Sequence, residues 1–286
     1  MVKINKLVGR EDATVLAKLE WYNIGGSVKD RMAFYLIKKA EEEGKMSKDK
    51  MILEATSGNT GIALAMIAAV KGYKAVLVMP ESVSVERRKI IKAYGAELVL
   101  SPAAKGTGGA IEVKQQMLKE NPDKYVDINQ FRDPMNIFAH YETTGMEILQ
   151  QTGGKLDMVV VGVGTAGTGV GISQRVKEFN PSIKIVGVMP KLGVSIQGLR
   201  NPKDLHPTQL FNRDAFDEVV EIAQEEIQMV SEVTRRLAKE EGLLVGVSAG
   251  AIMYVALKKA RNLKGKVIVA VLPDSGMKYL STPIFE

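Results

Sequence analysis

Short apolar runs alternate with amphipathic stretches along most of the chain. A strand-like run over 14–22 ends in Asn23-Ile-Gly-Gly26, and a helix then opens and runs to about 43. Ser27 is the expected N-cap of that helix, and Asp30 lies in its first turn, where a negative charge suits the helix dipole. The pattern then repeats, with strands at 51–55, 75–79 and 96–100 and helices at 62–70, 84–94 and 109–119. It breaks around Gln130-Phe-Arg-Asp-Pro134, before a helix over 136–151. A strand from 156 runs into a glycine-rich turn and a helix, and another strand follows at 183–188. The segment 190–214 reads as mostly loop. A strand at 218–222, helices at 224–240 and 249–259, a strand at 266–272 and a polar tail complete the chain. This alternation predicts parallel βα units. The expected class is α/β, with two open, mainly parallel sheets and a cleft between them, where loops at the strands' carboxyl ends hold a ligand.

Composition narrows the chemistry. The 286 residues suffice for one large domain or two modest ones, and 45% hydrophobic with 25% charged content is ordinary for a soluble globular protein. No apolar run reaches the roughly 20 residues a membrane span needs, and no signal peptide is recognised, so a cytoplasmic location is expected. The absence of cysteine removes disulfides, thiol nucleophiles and thiolate metal sites. His140 and His206 lack ligand spacing, which argues against zinc and against a Ser-His-Asp triad, so both are read as helix or loop residues and no metal is expected. The net charge of +6 is spread along the chain without a basic arm or reader motif. An anionic small molecule accounts for it as well as nucleic acid would, and no nucleic-acid partner is expected.

Lys29 sits in a first helical turn, where a cation is disfavoured, beside glycines that leave room for a ligand. It could form an imine with a carbonyl compound, or be a solvated surface lysine. The run Gly162-Val-Gly164-Thr-Ala-Gly167 matches a dinucleotide fingerprint, but that reading needs an acidic residue closing the next strand, which ends in Met189-Pro190. The loop instead continues through Thr168, offering hydroxyls and backbone amides at a helix start, which is chemistry for one terminal phosphate. The competing account is a tight turn with packing glycines. An imine-forming lysine together with a cradle for a single phosphate suggests pyridoxal phosphate, which needs both. Two further turns offer polar groups, an amide at Ser57-Gly-Asn59 and a neutral hydroxyl at Pro273-Asp-Ser275. Each reads equally well as an ordinary cap or turn.

Together these stretches resemble the cysteine synthase / cystathionine β-synthase family of fold-type II pyridoxal-phosphate enzymes, along nearly the whole chain. Ser27-Val-Lys-Asp-Arg31 is similar to the family's lysine motif, which makes Lys29 the Schiff-base residue. Glu54-Ala-Thr56-Ser-Gly-Asn-Thr-Gly61 is similar to its substrate loop. There the resemblance implies Asn59 on the cofactor's ring oxygen, and Thr56, Ser57, Gly58 and Thr60 on the substrate carboxylate, joined by Gln130. Gly164, Thr165, Ala166, Gly167 and Thr168 resemble the phosphate loop, and Ser275 the residue facing the pyridine nitrogen. Gly246-Val-Ser-Ala-Gly250 resembles a further loop near the cofactor. Asn23-Ile-Gly-Gly26 departs from the usual Asn-Pro-Ser-Ser, and Ala166 stands where a glycine is common.

The segment Gly193-Val-Ser-Ile-Gln-Gly-Leu-Arg200 is closest to B-type cysteine synthases. The resemblance implies a smaller domain over 23–133, and a larger one from 1–22 with 134–286. It implies β-replacement, in which O-acetyl-L-serine or O-phospho-L-serine loses its leaving group to an aminoacrylate that sulfide converts to L-cysteine. Lys29 would remove the Cα proton. Arg200 could meet a leaving-group phosphate, or be a solvated loop arginine. Condensation of serine with homocysteine, a serine/threonine dehydratase and a non-catalytic binding protein are the alternatives. A homodimer is the family expectation, and a serine acetyltransferase could be a partner.

Overall fold

In the computed structural model, which describes residues 1–204 and 208–285, the strands form two sheets. His206 therefore lies outside the described residues. The larger sheet has the order β1-β2-β10-β7-β8-β9, from β1 (Val2–Lys3), β2 (Thr14–Leu19), β7 (Met158–Gly162), β8 (Lys184–Pro190), β9 (Glu218–Ile222) and β10 (Val267–Leu272). Only the β1–β2 pair is antiparallel. The smaller sheet is wholly parallel, ordered β5-β4-β3-β6, from β3 (Met51–Ala55), β4 (Lys74–Pro80), β5 (Glu97–Ser101) and β6 (Tyr125–Asp127). Central strands such as β7 and β10 are continuous apolar runs because helices cover both faces of the sheet.

Helices α1 (Lys29–Glu42), α2 (Asn59–Lys71), α3 (Val85–Ala93) and α4 (Gly106–Glu120) accompany the smaller sheet. α2 is buried on nearly every side from Thr60 to Ala68, which explains a sequence that is apolar all round rather than along one stripe. α7 (Gly167–Phe179), α8 (Ile227–Glu241) and α9 (Val247–Ala260) accompany the larger sheet. The helix expected over 136–151 is α5 (Met135–His140), a π turn at Tyr141–Gly145 and α6 (Met146–Thr152) in succession.

Three sequence expectations need correction. The strand read as reaching Tyr22 stops at Leu19, because Glu20–Tyr22 turn into a 3-10 helix whose Glu20 is held by Arg31. Ser27 is not the N-cap of α1. Val28 is, although the Ser27 hydroxyl does accept the Lys29 N–H at 3.2 Å. β6 was missed because its three residues are too few for a periodic signal.

Candidate active site

Strand register gathers the site. β10 lies between β2 and β7, with Leu272 opposite Leu19 and Ala270 opposite both Ala17 and Val160. The chain therefore leaves three adjacent strands along one edge, towards Lys29, towards Asp274 and into the Gly162–Thr168 loop. The Val28 N–H donates to the Pro273 carbonyl at 2.9 Å, and the Gly246 N–H to that of Asp274 at 3.1 Å. From the other sheet, the end of β3 supplies Thr56–Asn59, and the segment after β6 supplies Gln130. A cavity of about 400 Å³ lies between the sheets. Of the residues that the resemblance assigns to cofactor or substrate, all but Ala166, Gly167 and Ser275 line it.

Lys29 is pinned from behind. Arg31, two residues on, binds Glu147 of α6 through both terminal nitrogens at 2.6 and 2.7 Å, and its Nε reaches Glu20 at 2.7 Å. Buried Lys18 donates to the same Glu147 at 2.6 Å. Burial alone would raise the Glu147 carboxyl, but Arg31 and Lys18 outweigh it and bring its pKa down to about 2. The Lys29 amine makes no hydrogen bond to the described residues. Burial of the amine lowers its pKa, and the Asp274 charge offsets this only in part. A neutral, nucleophilic amine is thus reached at lower pH than for free lysine.

The glycine loop is both a packed turn and a cradle. A β-carbon at Gly164 would stand 2.7 Å from the Gly198 carbonyl, one at Gly167 would overlap Asn136 Oδ1, and one at Gly171 would overlap the Ile137 carbonyl. α7 therefore lies directly on α5. Ala166 holds a left-handed φ of 72° before the helix begins. Among the described residues, the N–H groups of Thr165, Ala166, Gly167 and Thr168 have no hydrogen-bond partner, so the positive end of α7 faces the cavity unused. Ala166 and Gly167 contribute to this cradle through backbone alone. Asn136 Nδ2 donates to Thr165 Oγ1 at 3.0 Å and to the Gln130 carbonyl at 2.8 Å, tying the loop to the opposite wall.

On that wall, Thr60 Oγ1 donates to Gln130 Oε1 at 2.7 Å, and the Gln130 N–H donates to buried Glu54 at 3.2 Å. Asn59 Nδ2 donates to Asp274 at 2.8 Å. Several buried polar atoms nearby have no partner among the described residues: Asn59 Oδ1, Asp274 Oδ1, and Nε and Nη1 of Arg87. Arg87 is 2% exposed, stacks 4.4 Å above the Tyr279 ring and lines the cavity beside Gly58. Arg200 also lines it, 4.9 Å above the Phe131 ring. Arg200 is partly buried, and burial lowers its pKa, with Asp204 opposing.

Ser275 is elsewhere. Its backbone bridges to Val245 where the chain turns after β10, and Asp274 takes the inward position. Among the hydroxyls that do line the cavity is that of Ser248, buried in the first turn of α9. It belongs to the Gly246–Gly250 loop already noted, so its signal was visible without its role. Arg87 gave no signal, being one of two adjacent arginines in a charged helix. Asp274 and Asn136 were hidden because their partners lie on other elements.

Pyridoxal phosphate fits these residues. Unpartnered N–H donors and two threonine hydroxyls would take its phosphate, a free amine would take its carbonyl, and orphaned polar atoms surround the remaining space. A family model described as pyridoxal-phosphate dependent enzyme matches residues 1–274. The chain is 44% identical over 296 aligned residues to a cysteine synthase of Staphylococcus aureus, covering all of this chain and 94% of that one. Among solved structures, a cysteine synthase from Entamoeba histolytica is similar with a TM-score of 0.91 at 37% identity, covering 99% of this chain and 87% of the other. A hydrogen sulfide-producing enzyme from Fusobacterium nucleatum is similar with a TM-score of 0.87 at 39% identity, covering 98% and 95%.

Proposed function

Because the chain belongs to the pyridoxal-phosphate dependent enzyme family, we propose that it makes L-cysteine by β-replacement, joining sulfide to the β-carbon of an activated serine. One observation carries the reading: a lysine amine and a row of N–H donors at a helix start, neither with a hydrogen-bond partner among the described residues, border the same cavity. The cofactor supplies a carbonyl that condenses with amines and a ring that accepts electrons from the bond being broken.

The chain's residues do the rest. Lys29 holds the cofactor, and its amine then takes the Cα proton, a role favoured by its lowered pKa. Gly164, Thr165, Ala166, Gly167 and Thr168 are assigned to the phosphate, and Asn59 to the ring oxygen. Ser248 is assigned to the ring nitrogen in place of Ser275. Thr56, Ser57, Gly58, Thr60 and Gln130 are assigned to the substrate carboxylate. Their hydroxyls, amide and helix-start N–H groups orient it without a buried countercharge of their own. Arg87 and Arg200, both lining the cavity, favour a substrate whose leaving group is already charged before it departs, and hence O-phospho-L-serine over the uncharged ester of O-acetyl-L-serine.

The test is visible spectroscopy of the protein with pyridoxal phosphate, followed by each activated serine and then sulfide, with L-cysteine quantified. Cofactor absorbance that changes with one serine and recovers with sulfide, yielding cysteine, is expected. Product only from serine and homocysteine would move the reading to cystathionine formation, and keto-acid release would move it to a dehydratase. Cofactor uptake with no turnover of any of these would leave a binding protein.

The domain division is carried into this reading: 23–133 contains the whole smaller sheet, and 1–22 with 134–286 contains the larger. A homodimer is supported by the half-exposed aromatic row Phe34, Tyr35, Phe138 and Tyr141 on α1 and the segment from α5 into the π turn. Light scattering of the parent and of Phe138→Glu tests it. A cytoplasmic location accords with the enzyme class, and no described helix is long and apolar enough to cross a membrane. A serine acetyltransferase tail in the cavity mouth would compete with the serine substrate, which an inhibition assay detects.

A further inference from the structure

His140 is fully buried, and the β-replacement chemistry leaves it without a role. It ends α5 just before the π turn, and it reaches α7 only because Gly171 lacks a β-carbon that would press on its own. Its two ring nitrogens each meet one hydroxyl. Nδ1 lies 2.8 Å from Thr144 Oγ1, and Nε2 lies 3.1 Å from Thr168 Oγ1. Thr144 is itself 0% exposed, so no water competes for these contacts.

Proton counting decides the direction of each bond once a phosphate occupies the cradle, a premise taken from the proposed function. A phosphate dianion only accepts. Thr168 has a single hydroxyl proton, and its place at the start of α7 commits that proton to the phosphate. Its contact with His140 must then run the other way, with the ring's Nε2–H donating to Oγ1. The neutral ring carries its lone pair on Nδ1, which accepts from the Thr144 hydroxyl. Burial, with Lys29 and Arg31 nearby, keeps the ring neutral by lowering its pKa well below the usual range.

We propose that Thr144, His140 and Thr168 form a one-way donor relay aimed at the cofactor phosphate, with His140 a positioning residue locked as the Nε2–H tautomer. The relay aims the Thr168 proton and gives the phosphate a strengthened neutral donor. Without an anion, the two hydroxyls and the ring can be satisfied in either sense. Phosphate binding therefore selects the tautomer.

The chain has two histidines, so His206→Gln leaves one imidazole to observe. Nitrogen-15 NMR of histidine-labelled protein, with and without pyridoxal phosphate, reads the tautomer directly. The loaded protein is expected to show neutral Nε2–H. An Nδ1–H tautomer or an imidazolium there would overturn the relay, whatever the activity. Cofactor titration by absorbance adds an independent arm. Glutamine can place a donor near the Nε2 position and asparagine cannot, so His140→Gln should bind within about threefold of the parent, and His140→Asn about tenfold more weakly. Equal losses in both variants would mean mere packing and would also overturn the relay. Failure of the parent to take up pyridoxal phosphate would overturn the cofactor reading and the relay together, whereas uptake with the wrong tautomer overturns the relay alone.

Discussion

At the phosphate end of the cavity most side-chain polar atoms already have protein partners, whereas at the lysine end several have none. Thr165 and Thr168 are held by Asn136 and His140, and the loop backbone is fixed by glycines against which neighbouring elements pack. Around Lys29, the amine makes no hydrogen bond to the described residues, and Asn59, Asp274 and Arg87 keep buried atoms unpartnered among them. Each such orphan costs on the order of 1–3 kcal/mol. The cradle is therefore pre-organised in its side chains, with Asn136 Oδ1 and the loop N–H groups left unpartnered among the described residues, and the reactive end carries more unpartnered side-chain atoms whose cost a ligand would relieve.

The sharpest way to break this contrast is Lys29→Met. It should lower kcat by about 10³-fold or more, as expected for loss of a general base. It should also stabilise the cofactor-free protein by about 1 kcal/mol, since a poorly solvated charge is removed. The sign follows from the lowered Lys29 pKa. The folded state releases the proton before the unfolded state does, so the penalty is full below the folded pKa and vanishes above the ordinary 10.5. The stability gain should accordingly fade in melts taken towards that pH, and a gain that is constant with pH would sink the argument.

The cradle should respond in the opposite sense. Gly171→Ala would drive a methyl into the Ile137 carbonyl, lowering stability by about 1–3 kcal/mol and weakening cofactor binding, as chemical denaturation and absorbance titration would measure. A subtler change acts on charge alone. Asp274→Asn removes the group that raises the Lys29 pKa, so the pH dependence of cofactor capture by the free protein should move to lower pH. A shift to higher pH would mean that Asp274 does not act through the amine. The smallest effect is expected at Ala166, whose φ of 72° glycine adopts without strain. Ala166→Gly should raise stability by roughly 1 kcal/mol, read from a denaturant midpoint.

Parallel βα architecture was legible because β3, β4, β7 and β10 are apolar runs between amphipathic helices, a pattern that needs only local spacing. Lys29, Asn59 and the Gly164–Thr168 loop were legible because each lies in a contiguous motif where a strand meets a helix. Ser248 was half legible, since its loop was recognised but nothing in the sequence marked its hydroxyl as lining the cavity. A turn after a strand looks the same in sequence whichever of its side chains points inward.

By itself, then, the sequence determined the order of the elements, the lysine and the phosphate loop, since these depend on neighbours along the chain. Tertiary structure alone decided that Asp274 rather than Ser275 turns inward and that Arg87 reaches Gly58 across the cavity wall. It alone set His140 against Thr168, because Gly171 lets two helices touch. Those outcomes depend on strand order and helix approach, which bring together residues far apart in the chain, and local spacing does not encode that proximity.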